Sequence, residues 1–207
     1  MSEQRVWSPA WLEFAGVPEW LNTRVRQGAW PVFKKLAELD CEVNFRPASF
    51  EVSLAELARR LGMKTEAVEK ILVALRKKRL ITCFLPEHPE ENMLCRIATP
   101  LPLPESRDKV LGRLPRSMQR AELRYLDRTE LSNESEELLR ELVDAYMNHV
   151  SHKMNALILD EIRLLAVRFR HDRIRRIFSR AHALGIDSLG WVTRELVREE
   201  VRGQESA

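Results

Sequence analysis

Apolar side chains recur at steps of three and four along most of this 207-residue chain, the spacing of helices that bury one face. Near the start, Ser8-Pro9 pairs a capping residue with proline at a first helical position, and Trp11 and Phe14 fall next on one face. Val17-Pro18 opens a second short helix carrying Trp20, Leu21 and Val25. Trp30-Pro31 opens a third, with Val32, Phe33, Leu36 and Leu39 at helical spacing. Four of the five tryptophans (Trp7, Trp11, Trp20, Trp30) fall in this stretch. So many indoles suit base stacking or a partner groove. Their periodicity with other apolar residues favours a tryptophan-rich cap, residues 1–29, packed on the adjoining domain.

The pattern tightens over residues 51–82. Ser53 and Glu56 form a capping box, and Leu54, Leu57, Ala58 and Leu61 make a stripe that Gly62 ends. After Met63-Lys64, Thr65 caps a second helix with Val68, Ile71, Leu72 and Leu75 inward. Two short amphipathic helices joined by a glycine turn are a helix-turn-helix. Two strands come after them, ITCFL and MLCRIA, separated by PEHPEEN. Helix, helix-turn-helix and hairpin are the order of a winged helix, placed at residues 30–99. Prolines 100, 102, 104 and 115 then predict an extended connector over 100–117.

No proline occurs after Pro115, and from Glu134 to Arg170 there is neither glycine nor proline. Leu138, Leu142, Tyr146, Val150, Met154, Leu157, Ile158, Ile162, Leu165 and Phe169 keep helical steps. That is one long helix, or two broken near His149–His152. Asp172 caps a further helix with Ile174, Ile177, Phe178, Ala181 and Leu184 inward, ended by Gly185. Ser188 caps the last, with Leu189, Val192, Leu196 and Val197. The expected fold is mainly α: a winged helix of three helices plus a β-hairpin, then a helical C-terminal domain over 118–202.

Two resemblances carry the functional expectation. Over residues 30–99, the polar cap, Glu56-Leu57-Ala58, Arg60-Leu61-Gly62 and the closing KKRLI of Lys77–Ile81 resemble winged-helix domains of bacterial transcription regulators and replication initiators. The helix ending in Ala181–Gly185, the turn at Ser188, Trp191-Val192 and Leu196 resemble the DnaD-like helical domain of bacterial replication proteins. That family usually has Tyr-Ile where this chain has Trp-Val, and its further tryptophan is absent. The second resemblance implies primosome assembly, self-association, recruitment of a replicative helicase or its loader, and phosphate contacts by Arg173, Arg175, Arg176 and Arg180.

A helix in the major groove reads base edges with its exposed N-terminal side chains. Thr65 is placed for that, and Lys64, Lys70, Arg76 and Lys77, with Arg59 and Arg60, are candidate phosphate contacts. Glu66 and Glu69 repel the backbone, and Glu87, Glu90 and Glu91 make the loop between the strands acidic. The formal net charge is only +3, but charge is sorted into blocks, and Arg163–His182 holds seven arginines against one aspartate. Double-stranded DNA is therefore the expected partner, bound by a homo-oligomer in replication. The alternatives are a transcriptional regulator dimerising through its C-terminal helices, or a protein-docking scaffold without DNA affinity.

No catalytic residue, metal or cofactor is expected: there is no phosphate-cradling glycine loop and no GxSxG. Cys83, His88 and Cys95 share one hairpin, yet both cysteines have apolar neighbours, the setting of buried free thiols. His149 and His152 stand three apart without a further ligand at metal spacing. Three cysteines without a CxxC pair, no secretory signal and no long apolar run point to a cytoplasmic, nucleoid-associated protein without a membrane partner.

Overall fold

Glycines in the left-handed region set where the first helices begin. α1 (Trp11–Phe14) is one turn, entered where the Leu12 N–H donates to the Pro9 carbonyl at 3.0 Å. Ser8 and Trp7 lie outside the residues described by this computed structural model, which are 9–44, 47–119, 123–126 and 133–205. The expected pairing of Trp11 with Phe14 is not found: Trp11 and Leu12 are buried and Phe14 is 52 % exposed. The cause is polar, since the Trp11 indole turns inward to donate to the Arg124 carbonyl at 2.8 Å. α2 (Val17–Arg24) begins after Gly16, and α3 (Ala29–Val43) after Gly28, whose φ is 81°. α3 buries Val32, Phe33, Leu36 and Leu39, the expected stripe, and Asp40 beside them.

A strand, two helices and two strands come next. β1 (Ser49–Ser53) has Phe50 and Val52 inward and Glu51 outward. α4 (Leu54–Leu61) starts at Ser53, whose hydroxyl accepts the Glu56 N–H at 3.1 Å. The Glu56 carboxylate does not complete the expected box; it accepts from Arg60 at 2.6 Å. Gly62 ends α4 at φ 63°. α5 (Thr65–Lys77) has Lys64 rather than Thr65 at its N-cap, with no side-chain cap, and buries Val68, Ile71, Leu72 and Leu75. β2 (Ile81–Cys83) and β3 (Asn92–Ile97) complete an antiparallel sheet in the order β1-β3-β2, with Phe50, Cys95 and Cys83 in one row. The hairpin was expected with two strands; β1 supplies a third, its two apolar side chains, Phe50 and Val52, buried on either side of exposed Glu51.

Residues 100–117 are not a free connector. α6 (Arg107–Arg113) and α7 (Arg116–Gln119) form once the closely spaced prolines are passed. Leu101, Val110, Leu114, Leu123, Tyr125 and Leu126 enter the same core as Trp11, Phe33, Leu57 and Leu75. The tryptophan-rich start, the central segment and the proline-rich run thus share one interior. The first compact unit is residues 1–129, and its boundary falls past the expected position 117.

Among its described residues, the second unit, residues 130–207, has four helices. α8 (Asn133–His149) and α9 (Ala156–Arg168) settle the long periodic stretch as two helices, the break closed by Asn155 accepting the Ile158 N–H at 3.0 Å. α10 (His171–Ala183) has Arg170, not Asp172, at its N-cap; Asp172 lies in the first turn. Ile174, Ile177, Phe178 and Ala181 are buried, but Leu184 is 58 % exposed because the helix has ended before it. α11 (Leu189–Glu205) starts where Ser188 accepts the Trp191 N–H at 3.3 Å, and buries Leu189, Val192 and Leu196. Tyr146 meets Phe178 edge-on at 6.0 Å in this core. Among the described residues, no helix is long and apolar enough to cross a membrane.

Candidate nucleic-acid interface

The outward side of α5 presents Lys64, Glu66, Glu69, Lys70 and Lys77, with Thr65, Val73 and Arg76 half-buried. The side is outward because the opposite one carries the four apolar residues that join the core. Lys64, Lys70 and Lys77 make no ion pair among the described residues, and neither does Arg59 at the end of α4. Arg60 is held by Glu56, and Arg76 takes part in an interaction of its own.

Two shallow depressions, of about 350 and 310 Å³, run along this side of α5. The first holds Lys64 and Glu66, the second Glu69 and Lys77; Lys70 and Arg26 line both. Arg26 and Gln27 come from the turn between α2 and α3, which sequence reading did not connect to α5. The signal was Gly28, whose φ of 81° favours glycine and turns the chain beside Ile71 of α5. Four cations and two carboxylates line the groove, without a serine, cysteine or histidine. That lining leaves the groove a net positive charge of two, screened over about 8 Å at physiological salt.

The loop between β2 and β3 does not stand free beside α5. The Pro89 carbonyl accepts the Ala55 N–H at 3.0 Å, so the acidic loop folds onto the first turn of α4. Cys83 and Cys95 face each other across the strands and are buried, while His88 is exposed in the loop. The hydrogen bond with Cys83, and then burial, push the Cys95 thiol well above its ordinary range, so Cys95 packs as a neutral thiol. Among the described residues, no group of three or more metal-ligating side chains comes together.

The four candidate arginines of the second unit have partners. Arg173 Nε lies 3.3 Å from Glu199, its Nη2 donates to the Leu196 carbonyl at 2.8 Å, and it stacks on Phe169. Arg176 shares Glu199, Arg180 meets Glu195 at 3.1 Å and lies over Trp191, and Arg175 stands 3.8 Å from Glu141. His149 packs against His182, with ring centroids 5.7 Å apart, rather than pairing with His152.

One buried polar cluster in the first unit had no counterpart in the sequence reading. The fully buried Asp40 carboxylate accepts from Arg124 at 2.7 Å, from the Tyr125 hydroxyl and from Asn44 at 2.7 Å. Burial first, then the Asp40 charge, push the Tyr125 hydroxyl above the ordinary tyrosine range. Burial likewise raises the Cys41 thiol. The cluster is a clamp between α3 and residues 123–126. The visible sign of it was a carboxylate on the apolar stripe of α3, one turn past Leu36.

No protein-family model matches this chain, and no curated protein or solved structure matches it either.

Proposed function

We propose that this chain is a non-catalytic DNA-binding protein: a winged helix-turn-helix that lays α5 in the major groove, joined to a helical domain for self-association. Its place is bacterial, plasmid or phage replication, of the primosome or initiation type. The observation that carries DNA binding is the row of Lys64, Lys70 and Lys77 along α5, solvated and without carboxylate partners among the described residues. The order of helix, strand, two helices and two strands, with β1-β3-β2 pairing, supports the winged-helix reading. With its loop tied to α4, the hairpin contributes little grip, and α5 does the reading. Replication rather than transcription rests on the DnaD-like resemblance alone.

One observation favours a second reading. Glu66 and Glu69 interrupt the lysine row, and the loop after β2 is acidic. A scaffold docking a protein of mixed charge would carry such a face. Fluorescence anisotropy with a labelled duplex, repeated across salt concentrations, separates the two. DNA binding predicts that log affinity falls linearly with log salt, by about 0.9 per phosphate contacted. It also predicts that reversing Lys64, Lys70 and Lys77 to glutamate abolishes the complex. A flat salt response leaves docking, and unchanged affinity in that variant removes α5 from the interface.

A further inference from the structure

The groove along α5 has a second wall, and that wall is built from sequence far from the helix-turn-helix. Arg26 lines both depressions, with Lys64 in one and Lys77 in the other, and with Lys70 common to the two. Its backbone is held on both sides. The Arg26 N–H donates to the Leu21 carbonyl at 3.1 Å, and its own carbonyl accepts from Ala29 at 3.0 Å. The turn runs beside α5, where Gly28 lies next to the Ile71 and Met63 side chains. The Arg26 side chain is exposed and makes no hydrogen bond or ion pair among the described residues.

We infer that Arg26 is a phosphate contact of this interface: the turn between α2 and α3 forms the outer wall of the α5 groove and clamps one strand of duplex DNA while α5 faces the bases. This rests on the DNA-binding reading above and adds a residue that reading does not contain. The physical case is geometric and electrostatic. An arginine fork presents several N–H donors to a phosphate, and a backbone fixed by two hydrogen bonds limits the ordering cost. Glu66 and Glu69 each line one of the depressions, and the cations Arg26, Lys64, Lys70 and Lys77 outnumber them four to two, so the groove as a whole favours a phosphate. A contact of this kind gives affinity and register without reading sequence.

The experiment is the salt titration of the full chain with Arg26→Ala and Arg26→Lys, on two duplexes of unrelated sequence. A melting curve confirms that each variant folds like the parent, as expected at an exposed position. Arg26→Ala is expected to flatten the slope by about 1 and to weaken binding by the same factor on both duplexes, with the slope restored in Arg26→Lys. If the parent binds, the Lys64/Lys70/Lys77 reversal abolishes binding and Arg26→Ala keeps the parental slope, the second wall is wrong while the α5 interface stands. A loss confined to one duplex also overturns the phosphate assignment. If the parent itself retains no duplex at low salt, the DNA-binding reading falls and this inference falls with it.

Discussion

Asp40 and Tyr125 hold the first unit together at a single point. Six hydrogen bonds converge on Asp40: Arg124 to one carboxylate oxygen and to the main-chain carbonyl, Tyr125 to that same oxygen, the Asn44 amide and the Ala48 N–H to the other, and the Asn44 N–H to the main-chain carbonyl. Removing the negative charge breaks the ion pair with the Arg124 guanidinium, whose side chain is only 16 % exposed. Asp40→Asn is therefore expected to cost about 3 kcal/mol in urea unfolding, as breaking a buried pair does. Tyr125→Phe is milder, about 1 kcal/mol at neutral pH, because Arg124 and Asn44 still satisfy the carboxylate. Tyr125 also sets an alkaline limit. Its folded pKa is raised, so the stability it contributes is complete below the unfolded value of about 10 and is lost as pH rises toward the folded value. Unfolding curves taken above about pH 10 should show the parent losing stability with pH more steeply than Tyr125→Phe. Equal slopes would mean that the hydroxyl titrates as it does in water. None of this was legible beforehand, because the partners are more than eighty residues apart and only Asp40 stood out against its apolar neighbours.

Helix ends show what the sequence could and could not tell. α4, α5 and α10 stop in the same way: one N–H reaches back to the carbonyl five residues earlier, and the N–H before it to the carbonyl three residues earlier. In α4 and α10 the left-handed residue is Gly62 or Gly185, and both ends were readable from that glycine. In α5 it is Arg79, at φ 57°, with Leu80 bonded back to Leu75 and Arg79 to Arg76. A basic run with no glycine read as helix-terminal charge, and its backbone was invisible. An L-residue with a Cβ in this conformation costs roughly 1–2 kcal/mol. The exposed guanidinium's own interaction is worth less than that at a solvated surface. Arg79→Gly is expected to raise stability by about 0.5–1 kcal/mol, and Gly62→Ala to lower it by about 1, the site being sterically open. Denaturant midpoints of the two variants should move in opposite directions; a fall for both would mean that Arg79 is held by its side chain. The helical stripes of α3, α4 and α5 were legible because burial tracks period. β1 was not, since five residues with two apolar positions carry too little pattern beside a strong capping signal.

Over the whole molecule, linear charge is a poor guide to surface charge. Residues 163–182 hold seven arginines, four of them read as phosphate contacts, yet five carboxylates from outside that block answer it, Asp160 of α9 among them. Glu195, Glu199 and Glu200 come from α11 and Glu141 from α8. The folding of α11 against α10 therefore neutralises much of the block's charge within its own unit, while the shorter cationic row on α5 keeps its charge available. The two units should respond differently to losing cations. Arg173 is the most embedded of the four candidates, with a carboxylate, a backbone carbonyl and the Phe169 ring as partners. Arg173→Ala is expected to lower stability by roughly 1–2 kcal/mol through lost packing and hydrogen bonding. Combining it with Arg175→Ala, Arg176→Ala and Arg180→Ala should leave the salt slope of duplex binding within about one unit of the parent, because an arginine already neutralised releases few counterions on meeting a phosphate. A slope reduced by about three or four would show that DNA displaces these glutamates. The second unit, and not α5, would then supply the larger share of the grip.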